Sequence, residues 1–149
     1  MPTIKHSRTL EASPAEVWAV VSDPGRLPGW WPSVQRVEEA TPGAWTNVLS
    51  SPKGKAVRAD YTLVESDPER RLVWRHEVEE SPFERLLSES LTEIELQPVG
   101  EGSTEIALTA RMRLRGFARF GSFQFRRATR QQLQAALDGL QSVVARREA

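Results

Sequence analysis

Polar and apolar residues alternate along most of the first 114 positions, and that alternation predicts strands. From Thr3 to Glu11, Ile4, His6, Arg8 and Leu10 fall on one side and Lys5, Ser7, Thr9 and Glu11 on the other. Val34–Glu39 and Ala44–Ser50 read as two further strands across a turn at Pro42-Gly43. After the turn Pro52-Lys53-Gly54, Val57, Ala59, Tyr61 and Leu63 alternate with Arg58, Asp60 and Thr62. Beyond Asp67-Pro68-Glu69-Arg70, Leu72, Trp74, His76 and Val78 alternate with Arg75, Glu77 and Glu79. Ser81-Pro82-Phe83 interrupts. Ser88, Ser90, Thr92, Ile94 and Leu96 then share one face, opposite Glu89, Glu93 and Glu95. Gly100-Glu101-Gly102 turns into a last strand with Ile106, Leu108, Ala110, Met112 and Leu114 on one face.

Two stretches break this period. Ser13-Pro14-Ala15-Glu16 opens a short helix: Ser13 caps it, Pro14 takes the first helical position, and Glu16 completes a capping box. Asp23-Pro24 starts a second short helical stretch, broken by Pro28, Gly29 and Pro32. The last third, Gly116–Ala149, is predicted as one long helix. Its core-facing stripe is Ser122, Arg126, Thr129, Leu133, Leu137, Leu140 and Val144, flanked by Ala136 and Val143. The aliphatic half of that stripe suits a dry core. The half with Ser122, Arg126 and Thr129 either overlies a polar cavity or lets Arg126 snorkel to solvent, because a buried unpaired charge is costly.

Strands joined by short turns pair as antiparallel neighbours, and their alternation leaves one face dry. The long helix is the element large enough to cover that face. The expected fold is therefore α+β: a curved antiparallel sheet of about six to seven strands gripping a long C-terminal helix, with two short helices after the first strand. Residues 1–149 fit one domain.

Charge refines this picture. The formal net charge is zero, so no global field draws in nucleic acid. Residues 1–110 hold 11 Lys/Arg against 18 Asp/Glu, and residues 111–149 hold 9 against 2. The simplest reading is a basic helix lying near an acidic sheet. The sequence contains no cysteine, which excludes disulfides and thiolate chemistry. The N-terminus lacks the apolar core of a signal peptide, and no apolar run approaches bilayer length. A cytoplasmic setting is the simplest expectation.

Several segments together carry a resemblance: Leu10-Glu11-Ala12-Ser13-Pro14-Ala15-Glu16-Val17-Trp18, Asp23-Pro24, Trp30-Trp31-Pro32, Pro68-Glu69-Arg70-Arg71-Leu72-Val73-Trp74 and the final helix. Over essentially its whole length the chain resembles the START-like, or SRPBCC, superfamily, with the helix-grip fold of polyketide cyclase/dehydrase domains. The resemblance implies a deep, largely apolar cavity between sheet and helix. The residues support one independently, because many inward-facing strand positions are polar.

Within such a cavity, Trp30, Tyr61, Trp74, His76, Ser90, Thr92, Phe123 and Arg126 are the candidate ligand-binding residues. His76 is the weak candidate for acid–base catalysis, and an inward histidine is more often a hydrogen-bonded core residue. Of Trp30 and Trp31, one is expected at the cavity mouth and one as a structural anchor. Arg126 could clamp a carboxylate or phenolate. The two histidines show no metal-ligand spacing, and the glycines form no phosphate-binding loop. No metal or cofactor is expected. Arg115–Arg127 gathers four Phe, two Gly and four Arg. It is a candidate for transient membrane contact, or its phenylalanines close one end of the core.

The leading expectation is a binder of a small hydrophobic or aromatic ligand such as a lipid, quinone or polyketide-like molecule. A polyketide cyclase/dehydrase-type enzyme using the same cavity is the alternative. A module like the activators of the Hsp90 ATPase is the third reading, with Thr41-Pro42-Gly43-Ala44-Trp45 as a poor match to that family's glycine-rich turn. No nucleic-acid partner is expected, and the protein could be a monomer or a homodimer.

Overall fold

A computed structural model describes residues 3–50, 53–79, 81, 83–84, 86–116 and 122–148. The elements run β1 (Thr3–Leu10), α1 (Pro14–Val21), a 3-10 helix (Pro24–Gly29), β2 (Val34–Thr41), β3 (Ala44–Ser50), β4 (Ala56–Asp67), β5 (Arg71–His76), β6 (Leu87–Pro98), β7 (Thr104–Leu114) and α2 (Ser122–Glu148). The strands form one seven-stranded sheet in the order β1-β7-β6-β5-β4-β3-β2. Every pairing is antiparallel. The fold is the α+β arrangement expected, a curved sheet around a long C-terminal helix. The helix, expected from Gly116, is described from Ser122 onward. Residues 117–121 lie outside the described residues, as do Pro52, Pro82 and the side chain of Ser122. Val78, expected on β5, falls just beyond that strand's end.

Local chemistry sets the element ends. The Ser13 hydroxyl accepts from the Glu16 backbone N–H at 3.2 Å, and the Glu16 carboxylate accepts from the Ser13 N–H at 3.5 Å. That closes the capping box, worth about 1 kcal/mol. The Thr104 hydroxyl donates to the Ala12 carbonyl at 2.7 Å in a buried site, which ties the start of β7 to the β1–α1 junction. The Asp23 side chain accepts from Gly25 N–H at 3.0 Å and opens the 3-10 helix.

The concave face of the sheet is covered by α2 and the short helices. Leu133, Ala136, Leu137, Leu140 and Val144 of α2 join Leu10, Val17, Leu27, Ile94, Ile106 and Leu108 in one core. A smaller core of Val78, Leu87, Met112 and Leu114, with Phe83 and Phe125 against it, closes the other end of the molecule. The convex face is not simply wet. Glu93 is only 7% exposed there. It accepts from Arg111 Nε at 2.8 Å and faces the Arg71 guanidinium at 3.4 Å. Arg71 also pairs with Glu65 and Glu95 at 3.0 and 3.4 Å. Part of the sheet's acidic charge is thus paired across strands by Arg71 and Arg111. The ion pair between β1 and α2 runs from Arg8 to Asp138 at 2.5 Å. Arg126, Arg127 and Arg130 are exposed, with no ion pair to another described residue.

One glycine fixes how closely α2 lies on the rest. A Cβ at Gly139 would sit 2.4 Å from the Trp30 carbonyl oxygen and 3.0 Å from its Cα. Both are backbone atoms that cannot rotate away. Alanine is the better helix former by about 1 kcal/mol, but overpacking against fixed backbone outweighs that gain. Gly139→Ala is therefore expected to lower stability by about 1–3 kcal/mol in urea unfolding. A gain in stability would show that α2 can lift away at no cost.

Candidate functional site

The apolar stripe of α2 does not seal the sheet along its whole length. Toward the N-terminal half of the helix a cavity of about 230 Å³ lies between it and the concave face. Leu49, Leu87, Ala110, Met112 and Leu133 supply aliphatic wall, and Trp31, Phe83 and Phe125 supply aromatic wall. Tyr61, His76, Ser90, Thr92, Thr129 and Gln132 bring polar groups to the same space. The sheet register explains the convergence. Tyr61 of β4 lies directly across from His76 of β5, and Ser90 and Thr92 of β6 lie across from Met112 and Ala110 of β7. Inward positions on adjacent strands meet at about 5 Å.

The aromatic residues form a continuous chain of contacts. Trp30 meets Trp31 edge-on at 5.3 Å between ring centroids, and Trp31 meets Trp74 at 5.6 Å. Trp74 meets Trp45 edge-on at 5.8 Å, and Trp45 stacks on Tyr61 at 5.8 Å. Tyr61 stacks on His76 at 4.8 Å, and His76 meets the edge of Phe83 at 4.8 Å. Each such pair adds about 0.5–1.5 kcal/mol beyond its area burial.

Within this belt the polar atoms are unusual. His76 is 7% exposed, and its Nε2 has no hydrogen-bond partner among the described residues. The same holds for Asn47 Oδ1 and the indole nitrogens of Trp30 and Trp45. Burial holds the His76 imidazolium below its ordinary range, against the opposing pull of Asp60 and Glu77. His76 is therefore neutral at physiological pH. Burial pushes the Tyr61 hydroxyl up to about 12, opposed by a hydrogen bond from the Asn47 side chain. Tyr61 is therefore a protonated donor. A neutral imidazole and a protonated phenol stand side by side, one able to take a proton and the other to give a hydrogen bond.

The sequence-derived candidates divide cleanly. Tyr61, His76, Ser90 and Thr92 line the cavity. Trp74 is buried just behind it, against Trp31. Trp31 takes the cavity wall, whereas Trp30, the one of the pair selected from sequence, is the anchor beneath α2. Phe123 is 74% exposed, and Arg126 is exposed at the N-terminal end of α2. Neither lines the cavity. Arg126, expected on the core-facing stripe, instead stays in water, where its charge costs least, and Phe125 takes the inward place one residue earlier. Phe83, Phe125, Gln132 and Asn47 were not selected from sequence. Asn47 carried a readable signal, since it sits at period two between Trp45 and Leu49. Phe83, in a proline-broken loop, carried none.

Among the described residues no cluster of His, Asp and Glu could hold a metal ion, and no helix is long and apolar enough to cross a membrane.

The profile of the family described as polyketide cyclase / dehydrase and lipid transport matches residues 1–145. The chain belongs to that family. Its fold is START-like. The Zhui aromatase/cyclase from Streptomyces sp. R1128 superposes with a TM-score of 0.82 at 17% identity, over 99% of this chain and 96% of that one. The protein TTHA0849 from Thermus thermophilus gives 0.79 at 21% identity, over 99% and 100%. A START superfamily protein from Mycobacterium smegmatis gives 0.76 at 12% identity, over 97% of each chain. At such identities the likeness establishes the family's fold and leaves the chemistry to the cavity. No curated protein matches the chain in sequence.

The neutral state of His76 has a measurable consequence. In the unfolded chain His76 titrates near its ordinary 6.5, and in the folded protein burial holds it lower. As pH falls below about 6.5 the unfolded chain takes up a proton that the native state refuses, so stability falls; above about pH 7.5 the residue contributes nothing to the pH dependence. Thermal unfolding between about pH 7.5 and 5.5 should therefore show wild type losing stability relative to His76→Gln. Parallel curves would mean that His76 protonates in place.

Proposed function

We propose that the protein binds a small aromatic or hydrophobic ligand, about two fused rings in size and carrying a hydroxyl group, in the cavity beneath α2. The observation that carries this reading is that His76 lines the cavity and its buried Nε2 has no partner among the described residues. Native interiors pair more than nine in ten such groups, and an unpaired one costs about 1–3 kcal/mol. A ligand hydroxyl bonded to His76, within reach of Tyr61, removes that cost. The volume supports the size: an apolar cavity of about 150 Å³ holds a benzene, so about 230 Å³ suits two rings. A cytoplasmic setting goes with this reading. The cavity's size favours it over a protein-interaction module.

The second reading is a cyclase-type enzyme, favoured by the Tyr61–His76 stack. Neutral His76 takes a proton from a methylene flanked by two carbonyls, Tyr61 donates a hydrogen bond to the resulting enolate oxygen, the enolate carbon attacks a carbonyl further along the same chain, and the alkoxide formed there takes the proton back from His76. Arg126 has no part in either reading, given its exposure.

Calorimetric titration with 2-naphthol and naphthalene tests the binding reading. Tyr61→Phe and His76→Phe should each weaken 2-naphthol about tenfold, the worth of one hydrogen bond of about 1.4 kcal/mol. Naphthalene should bind all three proteins alike. If 2-naphthol and naphthalene respond identically to both substitutions, the polar end of the cavity plays no part in binding. Release of a cyclised product from a linear β-ketone chain would move the assignment to the enzyme.

For the segment 115–127 the corresponding proposal is transient contact with an anionic bilayer through exposed Phe123, with Arg126 and Arg127 beside it. Sedimentation with phosphatidylglycerol vesicles should pull the protein down, and Phe123→Ala should reduce recovery. Equal recovery with phosphatidylcholine vesicles would remove the proposal.

A further inference from the structure

A second, smaller apolar cavity of about 110 Å³ lies on the other side of the aromatic belt, lined by Leu27, Trp45, Leu63, Leu72 and Trp74 among others. The strands show what separates it from the first. Along β5, Leu72 faces the small cavity and His76 the large one, with Trp74 between them at period two. Across the sheet, Trp74 pairs with Thr92 of the large cavity on one side and with Leu63 of the small cavity on the other. Its indole meets Trp31, which lines the large cavity, and Trp45, which lines the small one. Both contacts are edge-to-face, so Trp74 is held from two directions.

We infer that Trp74, which lines the 110 Å³ chamber and backs the Trp31 wall of the 230 Å³ chamber, sets the length of ligand the site admits by keeping the two apart. This rests on the binding reading above and adds a specificity determinant to it. With the indole in place the ligand ends against the belt. With a small side chain there, the chambers join, and a ligand one ring longer fits along the same axis while its hydroxyl keeps its place at Tyr61 and His76. Cavities of this kind stay open when a large side chain is removed, because the surrounding structure relaxes only partly.

The experiment compares 2-naphthol with 2-anthrol, its three-ring analogue, on wild type, Trp74→Ala and Trp74→Ala/Leu63→Phe. Wild type should prefer 2-naphthol by at least tenfold. Trp74→Ala should reverse or erase that preference, and refilling the small chamber with Leu63→Phe should restore it. An unchanged preference in folded Trp74→Ala, or one that Leu63→Phe leaves reversed, overturns the inference. Should Trp74→Ala not fold, Trp74→Leu carries the same comparison with a smaller opening. Failure of the binding reading is a different outcome: wild type then takes up neither phenol. In that case crystals of wild type and the Trp74 variant under xenon decide the division. Two separate xenon sites in wild type joined into one space in the variant sustain it, and two sites still separate in the variant end it.

Discussion

The contact between Gly139 of α2 and the backbone of Trp30 sets how the long helix lies on the sheet, and most of the remaining structure follows from it. Without a Cβ the helix backbone comes down onto the Trp30 carbonyl. Leu133, Leu137, Leu140 and Val144 are then pressed into a dry core. A rigid helix pinned this closely over its C-terminal half cannot follow a curved sheet along its whole length. The space left over its N-terminal half is the cavity. Thr129 is the buried polar residue of the stripe in this region, and its hydroxyl donates to the Met112 sulfur at 3.8 Å. Sulfur is a weak acceptor, so the helix is held to the sheet there mainly by Phe125 packing on the smaller core.

That division of labour separates stability from function. Beneath the C-terminal half of α2 the interior is largely aliphatic. At the other end the walls are aromatic rings in edge and stacked contact, which hold a fixed shape at low entropic cost, with buried polar atoms left unpaired. Such atoms lower stability and persist where they serve a ligand. The convex face compensates with cross-strand Arg–Glu pairs around the nearly buried Glu93. Those pairs have good geometry and share partners, which lifts them above the small worth of isolated surface salt bridges.

Much of this was legible from residue order. The capping box at Ser13–Glu16, the strands and the α+β layout each rest on local chemistry or on a simple period, and local signals survive folding. The inward faces of β4, β5 and β6 followed from period two, and with them Tyr61, His76, Ser90 and Thr92. Arg126 did not follow. Helical period places it on the core-facing stripe, but the chain leaves that position in water and turns Phe125, one residue earlier, toward the cavity instead. Phe83 reaches the cavity from a loop, where no period applies. The arginine lattice on the convex face was also hidden, because it depends on which strands are neighbours rather than on which residues are.

The central claim is that a ligand hydroxyl meets His76 in this cavity. The most direct measurement is the ¹⁵N resonance of the His76 side chain, followed by NMR near pH 6.5 with and without saturating 2-naphthol. A neutral imidazole whose Nε2 signal moves by several ppm on addition of the phenol is the predicted result. A protonated ring, or an Nε2 signal unmoved while the phenol is bound, would contradict the account.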